Sequence, residues 1–151
     1  MYNGKFKIKN INKYKGDYNN IIYRSSWEFS IMMWCDNNPN IIEWSSEELI
    51  IPYLCPTDNN WHRYFVDFTI LFSDGKRYLI ELKPEKYTKL PKNNTKSKKI
   101  NQKYIKEVFT YAKNQAKWKA AHEFAQKHNS IFQVWTENTL KSLGIKILGR
   151  L

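Results

Sequence analysis

With 151 residues and 42% hydrophobic content, the chain is long enough for one domain with a substantial core and too apolar to be disordered. Its 25 Lys and Arg against 14 Asp and Glu leave a net charge of +11, which favours a polyanionic partner, nucleic acid ahead of an anionic membrane surface. No apolar run has transmembrane length, and the start, Met1-Tyr2-Asn3-Gly4-Lys5, lacks a signal-peptide core, so no membrane partner is expected.

In chain order, residues 1–20 are rich in Lys, Asn and Tyr with little periodicity, and a basic N-terminal arm is expected over residues 1–22, ahead of a folded domain over 23–151. Residues 25–36 read as a helix with apolar positions at Trp27, Ile31, Met32, Trp34 and Cys35, stopped by Asn37-Asn38-Pro39. Residues 41–53 read as one strand or as two joined by a bend, and residues 57–60 as a turn. Cys35 and Cys55 sit among apolar neighbours without metal-type spacing, which suits reduced core cysteines in a cytoplasm.

Residues 65–84 carry the strongest local signal, two strands around Ser73-Asp74-Gly75. A two-residue loop would set Phe68 against Glu81. A three-residue loop with Gly75 left-handed sets Phe68 against Ile80 and Ile70 against Tyr78. Only the second register collects Phe68, Ile70, Phe72, Tyr78, Ile80 and Leu82 on one apolar face. It also places Asp67 across from Glu81, with Lys83 on the same face.

From Lys86 to Lys106 there are eight lysines and no acid, and the first half, broken by Pro91 and Asn93-Asn94, reads as a mobile loop. Residues 101–128 then read as helical, with one stripe at Ile105, Val108, Phe109 and Ala112 and a later one at Ala121, Phe124 and Ala125. The drift between stripes predicts a kink or a second helix start near Asn114. Residues 131–135 read as a strand, Thr136 as the cap of a short helix ending at Gly144, and residues 145–148 as a final strand. This order predicts a mixed sheet flanked by helices, with a right-handed parallel crossover through the long helix.

Metal-assisted phosphodiester hydrolysis needs clustered carboxylates for a hard divalent cation and a group that positions water. Paired across strands, Asp67 and Glu81 would have Cβ atoms ~5 Å apart, close enough to share such an ion. Lys83 would orient water or hold developing charge. The plain alternative is a charged, solvated hairpin face. Glu28 has two readings, a third active-site acid or the carboxylate of a Ser25-x-x-Glu28 capping box. Glu47 and Glu48 read as solvent-facing, His62 as structural or as a phosphate contact, and Glu137 as a first-turn helix acid. The basic run, through Lys86, Lys89, Lys92, Lys96, Lys98, Lys99 and Lys103, suits sequence-independent contacts to the backbone of double-stranded DNA, and Lys117 would extend the patch.

Several stretches together resemble the PD-(D/E)xK nuclease superfamily, and more closely the head completion nucleases of tailed phages and the catalytic domain of transposon end-cutting endonucleases. They are Tyr23-Arg24-Ser25-x-Trp27-Glu28, Asn38-Pro39 with Ile42-Glu43-Trp44-Ser45-Ser46-Glu47-Glu48, Ile51-Pro52-Tyr53, His62-Arg63-Tyr64-Phe65-Val66-Asp67-Phe68, Ile80-Glu81-Leu82-Lys83-Pro84, Asn114-Gln115-Ala116-Lys117-Trp118 and Phe132-Gln133-Val134-Trp135-Thr136-Glu137. One departure is Val66, where the superfamily usually has proline.

The resemblance implies an α/β, restriction-endonuclease-like fold with the order αβββαβ. It implies a Mg²⁺-dependent deoxyribonuclease, with Mn²⁺ as a substitute, acting on DNA ends late in virion assembly. Asp67, Glu81 and Glu28 would hold metal and Lys83 would serve the nucleophilic water. Asp67, Glu81 and Lys83 are expected on the sheet face toward Glu28. The setting would be the host cytoplasm or the filled virion head, with portal or head-vertex proteins as further partners. The competing reading is a non-catalytic DNA-binding protein that closes or stabilises the filled head.

Overall fold

A computed structural model describes residues 2–93 and 101–147. Strand β1 (Gly4–Lys5) pairs with β2 (Ile22–Tyr23), and helix α1 (Ser26–Asn37) follows. Next come β3 (Ile41–Ser46), β4 (Ile50–Cys55), β5 (Asn60–Phe65), β6 (Phe68–Phe72) and β7 (Arg77–Leu82). The long helix α2 (Gln102–Lys127), β8 (Ile131–Trp135) and α3 (Glu137–Ser142) complete the order.

The central sheet runs β3-β6-β7-β8, antiparallel except for the parallel β7–β8 pair that α2 connects. Leaving out the β4–β5 hairpin, which forms its own two-stranded ribbon, the core order is αβββαβ, as expected for a restriction-endonuclease-like fold.

The β6–β7 register pairs Phe68 with Ile80 and Ile70 with Tyr78, the register chosen by the apolar pattern. Gly75, at φ 88°, takes the left-handed position of the three-residue loop, where a side chain would be strained. Alternation then divides the sheet. Phe68, Ile70 and Ile80 pack with Trp27, Ile31, Met32 and Cys35 of α1, while Leu79 packs with Ala121 and Ala125 of α2 and with Ile51, Tyr53 and Tyr64 of the β4–β5 hairpin. Burying Ile31 or Met32 contributes about 1.5–3 kcal/mol each.

Helix α1 starts where Ser25 accepts the Glu28 amide in its Oγ and stops where Asn38, ahead of Pro39, turns extended. Its C-terminal carbonyls are covered by the preceding chain: Lys13 Nζ donates to Cys35 O and Asn38 O, both at 2.7 Å, and to Asp36 O at 3.2 Å. The stretch expected as an irregular arm thus packs tightly. Phe6, Tyr14 and Ile21 are buried in the α1-side core, and Tyr14 bridges to Trp44.

Three local expectations differ from the fold. Helix α2 runs unbroken through Asn114, which is buried against the body of the protein instead of marking a kink. The first stripe is half-buried at best, with Phe109 exposed, because packing with β4 and β8 relies on Ala121 and Ala125 further along. Residues 145–147 form no strand; Ile145 fills the core after the Gly144 turn, its amide bonded to Leu140 O at 2.9 Å. Leu148 lies outside the described residues. Among the described residues no helix is long and apolar enough to cross a membrane.

Candidate active site

Asp67 sits one residue ahead of β6, where the hairpin register carries it beside the end of β7. Its Oδ2 accepts the Leu82 amide at 2.8 Å. Glu81 is buried at 7% exposure, and Lys83 Nζ lies 3.7 Å from Glu81 Oε1. The other oxygen of Glu81, Oε2, accepts the phenolic proton of Tyr64 on β5. The hairpin therefore collects Asp67, Glu81 and Lys83 at one strand end.

Glu28 approaches from a different element. Its Oε2 accepts from the Arg24 amide at 3.0 Å and from Ser25 Oγ at 3.2 Å, so the capping geometry is real. Its charge also acts on Asp67. The capping reading is thus met, and the cap holds the carboxylate at the helix start, within electrostatic reach of Asp67. The faces need correction. The Asp67–Glu81–Lys83 face carries α2 and the β4–β5 hairpin, and α1 lies on the opposite face. Glu28 reaches the acids from the N-terminal end of α1 because strand alternation commits Phe68 and Ile80 to the α1 side.

Burial first, and then the Glu81 charge, push the Asp67 carboxyl well above the usual carboxylate range; Glu28 adds to this, while the Leu82 amide and Lys83 oppose it. Burial also raises Glu28, against the hydrogen bonds from Arg24 and Ser25 and with help from Glu47. Burial is thus the chief reason that Asp67 and Glu28 resist ionisation. The donors of Asp67, Glu81 and Glu28 are all hard carboxylate oxygens, the set that suits a Mg²⁺-like ion, although one oxygen from each of the three do not all lie within 4.8 Å of one another.

Of two further neighbours, Tyr64 was not singled out from sequence and Lys117 only as an extension of the basic patch. Tyr64 anchors Glu81, and Lys117 of α2 lies over the Tyr53 and Tyr64 rings, 5.9 and 5.7 Å from their centroids. Strand β5 offers little alternation, only Tyr64 being buried, so its register was not legible; a charge on the otherwise buried stripe of α2 was the available signal for Lys117.

Other candidates fall elsewhere. Glu47 is half-buried and pairs with Arg24, while Glu48 is exposed as expected and also accepts from Tyr14 Oη at 3.1 Å and from the Asp17 amide at 3.3 Å. Glu137 begins α3 and accepts the Glu85 amide at 2.8 Å. His62 binds Asp58 at 2.6 Å. With Cys55 these two bring a thiol, a carboxylate and an imidazole within 4.8 Å of one another near the tip of the β4–β5 hairpin, a softer donor set than that of the acid cluster.

Lys83, Lys86, Lys89, Lys92, Lys103 and Lys106 line a cleft of about 900 Å³, together with Tyr87, Tyr111 and Asn114. Lys96, Lys98 and Lys99 lie outside the described residues. The cleft shares Lys83 with the acid cluster, and Glu107 is the acid among its own lining residues.

An acid cluster around the buried Glu81, with an adjoining lysine, at the strand end of a mixed αβββαβ sheet, defines a nuclease of the restriction-endonuclease-like class. The chain belongs to the TnsA-like endonucleases: residues 38–137 match the family described as TnsA-like endonuclease N terminal. It is 42% identical over 149 residues to the head completion nuclease of Enterobacteria phage T4, covering 96% of this chain and 97% of that protein. The endonuclease family implies a divalent metal requirement and a nucleic-acid substrate.

Val66 now has a reason. It is fully buried, and its amide donates to Leu49 O at 3.0 Å, a bond proline cannot make.

Proposed function

We propose that this chain is a Mg²⁺-dependent DNA endonuclease that acts on DNA ends during phage head completion, after packaging, with Mn²⁺ able to substitute. The observation that carries the reading is the junction of Asp67, Glu81 and Lys83, with Asp67 tied to the Leu82 amide and Lys83 3.7 Å from Glu81. A full-length relative named as a head completion nuclease supports the setting.

In this reading Asp67, Glu81 and Glu28 would hold the ion, which would supply a Lewis acid for the phosphate and a lowered pKa for bound water. Lys83 orients the nucleophilic water and carries charge as the phosphate is attacked. Tyr64 occupies one oxygen of Glu81 and leaves the other toward Lys83. Lys86, Lys89, Lys92 and Lys103 contact phosphates of double-stranded DNA without reading bases. The protein acts in the host cytoplasm or on the filled head, with portal or vertex proteins beside it.

The test is nicking of supercoiled plasmid by purified protein in Mg²⁺ or Mn²⁺. Asp67→Asn, Glu81→Gln and Lys83→Ala should abolish nicking while remaining folded; equal rates for wild type and Asp67→Asn would sink the assignment. The lysine-lined cleft by itself also suits a DNA-binding plug on a retired nuclease scaffold. Mutually repelling buried acids serve no purpose in such a plug, which disfavours it. Rescue of infectious particles by an Asp67→Ala/Glu81→Ala gene would decide for the plug.

A further inference from the structure

Lys117 stands where a helix otherwise presents small or neutral side chains to the body of the protein. Asn114 and Ala121, three residues before it and four after, are buried on the same face of α2. Its stem is half-buried and its ammonium lies over two ring faces, Tyr53 at 5.9 Å and Tyr64 at 5.7 Å. Aromatic faces hold a cation in place but accept none of its N–H bonds in the directional sense. Among the described residues no carboxylate or carbonyl takes those donors. Desolvation opposes keeping the charge there, while Glu81 and Asp67 favour it and Lys83 and Lys113 oppose it.

We infer that Lys117 is a second cationic contact to the DNA strand being cut, its ammonium donating to a phosphate oxygen beside the Asp67–Glu81 pair. The inference rests on the nuclease reading. Three carboxylates, Lys83 and a divalent ion together are formally neutral. A phosphodiester brings one negative charge into that site, and attack on phosphorus adds a second. Lys117 is a further cation, half-buried, set over two tyrosine rings and, among the described residues, short of acceptors. Tyr64 links its position to the ligand set, because the ring under Lys117 carries the hydroxyl that binds Glu81. The same ring contact also suits a purely structural clamp on Tyr64, so the test must separate charge from packing.

Lys117→Met keeps the aliphatic stem on the rings and removes the charge, Lys117→Gln does so with a polar end, and Lys117→Arg keeps the charge. Binding of a fluorescently labelled duplex is measured by anisotropy against KCl in EDTA, alongside plasmid nicking in Mg²⁺. The neutral variants should flatten the log–log salt slope by about one unit, as loss of one phosphate contact requires. They should lower kcat/KM by about 10- to 100-fold, the size of a charge-assisted contact, and Lys117→Arg should restore the slope. Slopes equal to wild type in folded neutral variants would overturn the inference; equal slopes with lost activity would assign Lys117 to clamping Tyr64. If wild type fails to nick in Mg²⁺ or Mn²⁺, the nuclease reading falls, and the salt slope still decides the phosphate contact.

Discussion

Tyr64 and Glu81 are joined across two separate sheets, the phenol on β5 donating to a carboxylate on β7. The accessory hairpin thereby fixes one oxygen of an acid that belongs to the central sheet. Tyr64→Phe keeps the buried ring and deletes only the donor. Loss of such an outer hydrogen bond typically costs 10- to 100-fold in metal affinity or activity. Mg²⁺ half-saturation should rise by about 10-fold with DNA affinity in EDTA unchanged. Unaltered Mg²⁺ dependence would show that Glu81 needs no such partner.

Asp67 makes the opposite kind of prediction. Its carboxyl is held well above the normal range by burial and by Glu81, so in the absence of metal its ionisation opposes folding. The sign follows from proton linkage: the contribution is full while the group is protonated in both states, and is lost as pH rises through the raised folded value. Metal-free Asp67→Asn should therefore melt higher than wild type near neutral pH, with the gap closing as pH falls toward the ordinary carboxylate range. Differential scanning fluorimetry in EDTA across pH reads this directly. A lower melting temperature for the variant at neutral pH contradicts it.

Val66 tests whether the superfamily's proline suits this chain. Val66→Pro deletes the amide that reaches Leu49 O at 3.0 Å and leaves that carbonyl short of a donor. Destabilisation of about 1–3 kcal/mol is expected, seen as a lower urea midpoint with an unchanged slope. A variant as stable as wild type would mean that the bond contributes nothing.

Lys13 closes the C-terminal end of α1 with three carbonyl contacts. Lys13→Met should cost about 1–3 kcal/mol through unsatisfied carbonyls and a lost cation at the negative helix end. Hydrogen exchange should quicken most in the last turn of α1. Uniform quickening across the central sheet would place the role of Lys13 elsewhere.

What could be read from the residues followed from local patterns. The β6–β7 register was legible because alternation and Gly75 select the same pairing, and that pairing brings Asp67 to Glu81. Helix α1 was legible because its cap and its apolar positions agree. Strand β5 was not, because five of its six residues are exposed and its pairing with β4 leaves no period-two signature. Asn114 suggested a break in α2 because a buried amide inside a helix looks the same in sequence as an interruption. Residues 145–147 had the apolar content of a strand, but Ile145 is spent on the core. Tertiary context decided each of these.

The unbroken course of α2 sets the spacing of two proposed phosphate contacts. Lys103 and Lys117 lie on one continuous rod, fourteen residues apart, which at 1.5 Å per residue separates their backbones by ~21 Å. At 3.4 Å per nucleotide step, that spans about six base pairs. On the proposed phosphate contacts of these two lysines, a full helical turn inserted between them would lengthen the contacted stretch by about one to two base pairs.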